Sequence, residues 1–205
     1  MIRPLWILLL LALSACSHLL KPDVPIASQE DLAVLFAQRQ PALAALQSWR
    51  ANGRLAVSST DQGGSASFDW QERSNQRHIR LNAPLGQGGA ILLETPEGAM
   101  LTTTDKQQFY GDDGETLLLE AFGWPVPLAD LSAWIIGLPG SVDRNDYLLD
   151  AYGRIDTLQY GPWKVDFKSY QQQDNGLELP ERVFLRNGDV QVRFAVAKWH
   201  VDATG

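Results

Sequence analysis

Cysteine is almost missing from this chain: Cys16 is the only one, which excludes an intrachain disulfide and any thiolate-rich zinc cluster. Histidine is scarce too. His18, His78 and His200 lie too far apart in sequence to suggest a histidine metal site. Basic residues are outnumbered, with 17 Lys and Arg against 24 Asp and Glu and a formal charge of −7, so the electrostatic footprint of a nucleic-acid binder is lacking. Long apolar runs are confined to Leu5 through Leu13, too short to span a bilayer as a permanent helix. Catalytic signatures are absent as well: there is no Gly-x-Ser-x-Gly, His-Glu-x-x-His, Ser-x-x-Lys or glycine-rich phosphate loop leading into a helix. Ser65 and Ser67 follow Gly63-Gly64 as polar outward residues of a turn, and Asp112-Asp113 reads as a turn or helix cap rather than an acid and base pair. The chain is expected not to be an enzyme. What it does have is 45% hydrophobic residues in 205, enough for a sizeable core.

The apolar run is preceded by Arg3 and followed by Leu13-Ser14-Ala15-Cys16, the plan of a signal peptide. These four residues resemble the lipobox of bacterial lipoproteins. That resemblance implies cleavage of residues 1–15, a diacylglyceryl group on the Cys16 thiol and acylation of the new amino terminus. Several chains at about 0.8 kcal/mol per buried methylene make a stable anchor, where one chain leaves a marginal one. The competing reading is an ordinary secretory signal with an incidental cysteine. Ser17 in place of Asp implies sorting to the outer membrane, facing the periplasm. Residues 16–27, with Pro22 and Pro25 and no periodicity, read as a lipidated tether to one domain over 28–205.

Within that domain, Ser28-Gln29-Glu30-Asp31 is a helix start, and Leu32, Leu35, Phe36, Leu43 and Leu46 fall at helical spacing. The spacing predicts a helix near 29–47, kinked or divided at Pro41. From Trp49 the period becomes two: Leu55 and Val57, Phe68 and Trp70, Ile79 and Leu81, Trp163, Val165 and Phe167, and Val190 through Val196 alternate with polar or small residues. Turn signals at short intervals, Asn187-Gly188 the clearest, favour an antiparallel meander. Two amphipathic helices interrupt it, one from Glu115 to Phe122 stopped by Gly123 and Pro125, the other carrying Leu128, Leu131, Trp134, Ile135 and Leu138 before Pro139-Gly140. The fold class is mainly β with helices (α+β).

Six tryptophans remain beyond the leader, and two readings stay open for them: ordinary core packing, or the wall of a ligand cavity under helices laid on a curved sheet. Asn82-Ala83-Pro84-Leu85-Gly86-Gln87-Gly88-Gly89 makes a hairpin tip presenting one large apolar side chain. Leu85 is either incidental there or dips into lipid.

Trp49 with Gly53-Arg54-Leu55, Phe68-x-Trp70, Arg80-Leu81 with Pro84-Leu85-Gly86, and Pro125-Val126-Pro127-Leu128 stand in one order. Leu131-x-x-Trp134-x-x-Gly137-Leu138-Pro139, Trp163-x-Val165-x-Phe167-x-x-Tyr170, Leu179-Pro180 and Val192-Arg193 with Trp199 continue it. With these residues the chain resembles the LolB family of outer-membrane lipoproteins. The resemblance implies an incomplete antiparallel β-barrel with a helical lid over an apolar cavity that accepts acyl chains. It implies a role for Pro84, Leu85 and Gly86 in passing cargo into the bilayer. The implied partners are a soluble periplasmic carrier resembling LolA, acylated lipoprotein cargo and outer-membrane lipid, with no cofactor beyond the acyl groups on Cys16. A monomer suffices for such a handover. The residues expected to line the cavity are Trp49, Leu55, Phe68, Trp70, Leu81, Leu93, Trp134 and Val165. The acidic balance argues against anionic headgroups as the main membrane contact. A lipid-anchored assembly protein with a solid core is the alternative from another class, and an enzyme acting on lipid or cell-wall material a third.

Overall fold

The computed structural model describes residues 28–60, 63–84, 88–123 and 125–201. The leader, Cys16, the tether, Leu85, Gly86 and Trp124 lie outside them. The chain begins with α1 (Gln29–Ala44), opened by a capping box in which Ser28 and Asp31 satisfy each other's backbone N–H groups. Pro41 does not divide this helix: it sits in the last turn, where only one intrahelical bond is forfeited, and its own carbonyl still accepts from Ala45 N–H at 3.0 Å.

Six strands follow as a meander, β1 (Ser48–Ser58), β2 (Gly63–Arg73), β3 (Gln76–Asn82), β4 (Gly89–Thr95), β5 (Gly98–Thr103) and β6 (Gln108–Gly111). Then come α2 (Gly114–Phe122) and α3 (Leu128–Ile135). The second meander comprises β7 (Tyr147–Leu149), β8 (Ile155–Tyr160), β9 (Trp163–Gln172), β10 (Glu178–Asn187) and β11 (Val190–Val201). Asn187-Gly188 is indeed a hairpin, with Gly188 and Asp189 as its two loop residues between the paired Asn187 and Val190. Asp113, the expected cap, accepts from Thr116 N–H at 2.7 Å at the start of α2. The helix after Leu128 stops before the expected Pro139-Gly140, because Gly137 takes a left-handed φ of +87° and ends the turn.

One pairing joins the two meanders. β1 lies antiparallel to β11, from Trp49 opposite Val201 to Ser58 opposite Gln191, and the sheet runs β6-β5-β4-β3-β2-β1-β11-β10-β9-β8-β7. Among the described residues β6 and β7 are not paired with each other, so this is an incomplete antiparallel barrel. The edge at β7 is covered locally: the Gln29 side-chain amide donates to the Leu149 carbonyl and accepts from the Leu149 N–H, each at 3.0 Å.

The interior divides into two parts. Under β7 to β10, α1 and α3 leave a solid core, with Phe36 edge-on to Tyr147, Trp134 edge-on to Tyr160, and Val165, Leu158 and Ile155 fully enclosed. Burial keeps the Tyr170 phenol protonated well beyond its ordinary range, and its O–H donates to the Ile155 carbonyl at 2.6 Å. Under β1 to β5 and β11 the layer is looser, and the site lies there.

On the outer face Arg50 and Asp69 form a bidentate pair across β1 and β2, Arg50 Nε donating to Asp69 Oδ1 at 2.8 Å. This hydrogen bond holds the Asp69 carboxyl below its usual range. A depressed native pKa gives stability that is present above the unfolded carboxylate value and lost as pH falls through the native one. Asp69→Asn is therefore expected to flatten the acid limb of the stability profile below about pH 4. Urea midpoints measured against pH check this, and parallel acid limbs in the two proteins would contradict it.

Candidate functional site: an apolar cavity beneath a helical lid

The inward faces of β1 to β4 supply Leu55, Phe68, Trp70, Ile79, Leu81 and Leu92, and β11 adds Val192 and Phe194. The lid consists of α2, the extended segment after it and α3, which contribute Leu118, Val126, Leu128 and Leu131. Every lining residue is apolar. The enclosed volume is about 60 Å³, room for a few methylenes and no more. At one end of the barrel this cavity meets a wide mouth of about 670 Å³ that shares Leu55, Val57, Leu81, Ala90 and Val190 with it. The rim of the mouth is mostly small and polar, with Gly63, Gly64 and Ser65 at the start of β2 and Thr103 and Thr104 at the end of β5, together with Phe122 and Gly123 at the end of α2.

The opposite end is shut by charge. Two residues beyond Trp70 and Leu92, and two before Ile79, the same inward face carries Glu72, Glu94 and Arg77. Arg77 Nε donates to Glu72 Oε1 at 2.6 Å, Nη1 to Glu94 Oε2 at 2.9 Å and Nη2 to Ser132 Oγ of α3 at 2.7 Å. Glu72 Oε1 also accepts from the Ser132 hydroxyl and from the indole N–H of Trp70, at 2.7 and 2.9 Å. The cavity wall and the lid thus share one acceptor. The lid is close to the sheet here for a second reason: a Cβ on Gly114 would stand 2.7 Å from both Glu94 Oε2 and Leu92 Cδ2, so a larger residue would make these side-chain ends shift. Glu115 accepts from Leu128 N–H at 3.2 Å, tying α2 to α3, and burial raises its carboxyl above the usual range despite that bond. The lid is therefore pinned at the closed end, while its other end, at Phe122 and Gly123, borders the mouth.

Of the residues expected at the cavity, Leu55, Phe68, Trp70 and Leu81 do line it. Four do not. Leu93 is 38% exposed on the outer face, because the period of two along β4 turns Leu92 inward. Trp49 packs against Trp70 and Trp199, its ring centroids 5.7 and 5.5 Å from theirs, outside the cavity lining. Trp134 belongs to the solid half, where its indole N–H donates to the Pro139 carbonyl at 3.0 Å, and Val165 is enclosed in the same half. Pro84 is exposed, and the base of its loop is closed by Ala83 N–H donating to the Gly88 carbonyl at 2.9 Å. Ala83, Gly88 and Gly89 all belong to the rim, so the chain on either side of residues 85–87 lies at the mouth.

A curled, unclosed antiparallel sheet whose concave side holds an apolar pocket under two helices is the architecture of a class of proteins that shelter apolar ligands from water. Residues 47–199 match the family model "Outer membrane lipoprotein LolB". Curated relatives agree: the chain is 36% identical over 192 residues to outer-membrane lipoprotein LolB of Alkalilimnicola ehrlichii, covering 92% of each chain. It is 33% identical over 157 residues to that of Pseudomonas fluorescens, covering 77% of this chain and 76% of the other. Among solved structures, a putative outer membrane lipoprotein-sorting protein domain from Vibrio parahaemolyticus aligns over 87% of this chain and 95% of its own, at 9% identity and a TM-score of 0.49. The chain belongs to the LolB family of outer-membrane lipoproteins.

Proposed function

We propose that this protein takes acylated lipoproteins from a soluble periplasmic carrier, holds their acyl chains in the apolar cavity, and releases them into the outer membrane to which Cys16 anchors it. The observation that carries this reading is a wholly apolar cavity that is blind at one end and opens at the other into a mouth whose rim includes Ala83, Gly88 and Gly89. Transfer makes and breaks no covalent bond. Exposing one chain of some fifteen methylenes to water would cost on the order of 12 kcal/mol at about 0.8 each, so an unbroken apolar path from carrier to receptor is what lets the step proceed without nucleotide. A cavity of about 60 Å³ does not hold such a chain as it stands. Entry from the mouth must push α2 and the segment after it outward, and the pinning at Gly114 and Ser132 makes the closed end the pivot of that movement.

The test uses the chain from residue 17, without lipid, mixed with a carrier loaded with labelled lipoprotein. Label should pass to this protein with no nucleotide present; label remaining on a demonstrably active carrier would reject the reading. Within the cavity, Ala90→Leu adds three carbons at a position facing the lid. It is expected to cost about 1–3 kcal/mol of stability by overpacking. It should also abolish stoichiometric binding of a fluorescent apolar probe. Unchanged probe binding in a folded Ala90→Leu protein would move the ligand site elsewhere.

A further inference from the structure

The net charge conceals an uneven distribution. On the outer face of β1, β9, β10 and β11 the exposed residues include Arg54, Lys164, Lys168, Arg182, Arg186 and Arg193. The strand register gathers them: Arg54 and Arg182 both flank Ala195, Arg193 faces Phe184 with its guanidinium 5.6 Å from the ring, and Lys164 stands directly opposite Arg186. Like charges directly opposite each other across a strand pair are unfavourable. The same face holds two acids at its centre. Asp166 is covered by Arg186 and Lys168, which donate to its two oxygens at 2.6 and 3.2 Å, and Glu181 accepts the Ser169 hydroxyl at 2.8 Å. With two acids against six cations, this face is basic in a protein whose total is −7.

We propose that this basic outer face lies against the anionic headgroups of the membrane in which the protein is anchored. Charge complementarity selects the occupant, because anionic phospholipid presents phosphates over an area as broad as the patch. Geometry agrees on two counts. A twelve-residue tether reaches at most about 40 Å, so the domain stays within that distance of the surface and meets it often. The patch also runs to the mouth end of the barrel, where Lys164 and Arg186 stand next to the β8–β9 and β10–β11 turns. Lying on this face brings the rim of the mouth to the headgroups while the cavity opening remains accessible from the side. The acidic total, which argued against such contact, is carried by other surfaces.

The experiment measures partition of the unlipidated chain from residue 17 onto phosphatidylcholine vesicles with and without phosphatidylglycerol. The expected result is binding that requires phosphatidylglycerol and weakens as salt shortens the screening length. The triple variant Arg54→Gln, Lys164→Gln, Arg182→Gln removes three exposed charges, each worth about fivefold in partition, so binding should fall roughly a hundredfold with the thermal midpoint unchanged. Equal binding to both kinds of vesicle, or wild-type binding by the folded variant, overturns the proposal. A variant that keeps vesicle binding but no longer receives cargo from the carrier also overturns it and makes the patch a protein-docking face. Failure of cargo transfer by the unaltered protein would reject the receptor reading and leave the vesicle result standing.

Discussion

Arg77→Ala is expected to lower the unfolding free energy by about 3–5 kcal/mol, the usual cost of removing one partner from a buried ionic cluster. The side chains of Arg77, Glu72 and Glu94 are 13, 14 and 23% exposed, so the two carboxylates left behind would be desolvated and opposed only by Ser132 and the Trp70 indole. Urea unfolding measures the loss. Replacing all three charges by apolar residues of similar size should restore most of that stability, since such clusters seldom exceed a well-packed apolar equivalent in stability. A loss under about 1 kcal/mol would mean that water reaches the carboxylates and that the closed end is not closed.

This cluster was within reach of the sequence and passed unnoticed, and the reason is physical. Period-two alternation marks an inward face by its apolar members, and Phe68 with Trp70, and Ile79 with Leu81, were legible on that basis. Extending the same period by one step puts Glu72 and Arg77 on the inward face beside them. Charged residues at strand ends ordinarily face water, so nothing in composition distinguishes these from solvated ones. Leu93 failed for the opposite reason: Ile91-Leu92-Leu93 is apolar without a break, and only pairing with β3 and β5 decides that Leu92 turns inward. Trp134 and Val165 have the spacing of core residues and are core residues. Whether a core residue borders a void depends on how α1 and α3 fill one half of the sheet, which is a property of three elements distant in sequence. The pairing of β1 with β11, which sets the curvature of the sheet, joins residues so far apart that no local pattern marks it. The open antiparallel architecture and the helices laid on it were legible, because turns, caps and amphipathic stripes are local.

Leu85→Glu is expected to separate the two halves of transfer. Uptake is expected to draw on the cavity wall around Leu55, Phe68 and Trp70, so it should proceed at close to the unaltered rate. On the proposed role of the loop, release draws on its entry into the bilayer, where burial of one leucine supplies about 1.5–3 kcal/mol. Loss of that term slows insertion of cargo into liposomes by roughly 10- to 100-fold. A carboxylate at the same position adds its own desolvation cost. Leu85→Gln is the informative companion, removing the apolar contribution without a charge, and should fall between the two. Labelled lipoprotein would be followed in one vessel from carrier to receptor and then to vesicles, so that receptor-bound label accumulates in the Leu85→Glu protein. The proposed docking of the basic outer face enters here as well, since it would hold the mouth near the headgroups and raise the frequency with which a weak apolar contact is tried. Its neutralisation should slow release without causing the same accumulation at high vesicle concentration, whereas Leu85→Glu should accumulate label at any vesicle concentration. Equal impairment of uptake and release by Leu85→Glu, or of neither, would remove the loop from the release step and leave the mouth to act through its shape alone.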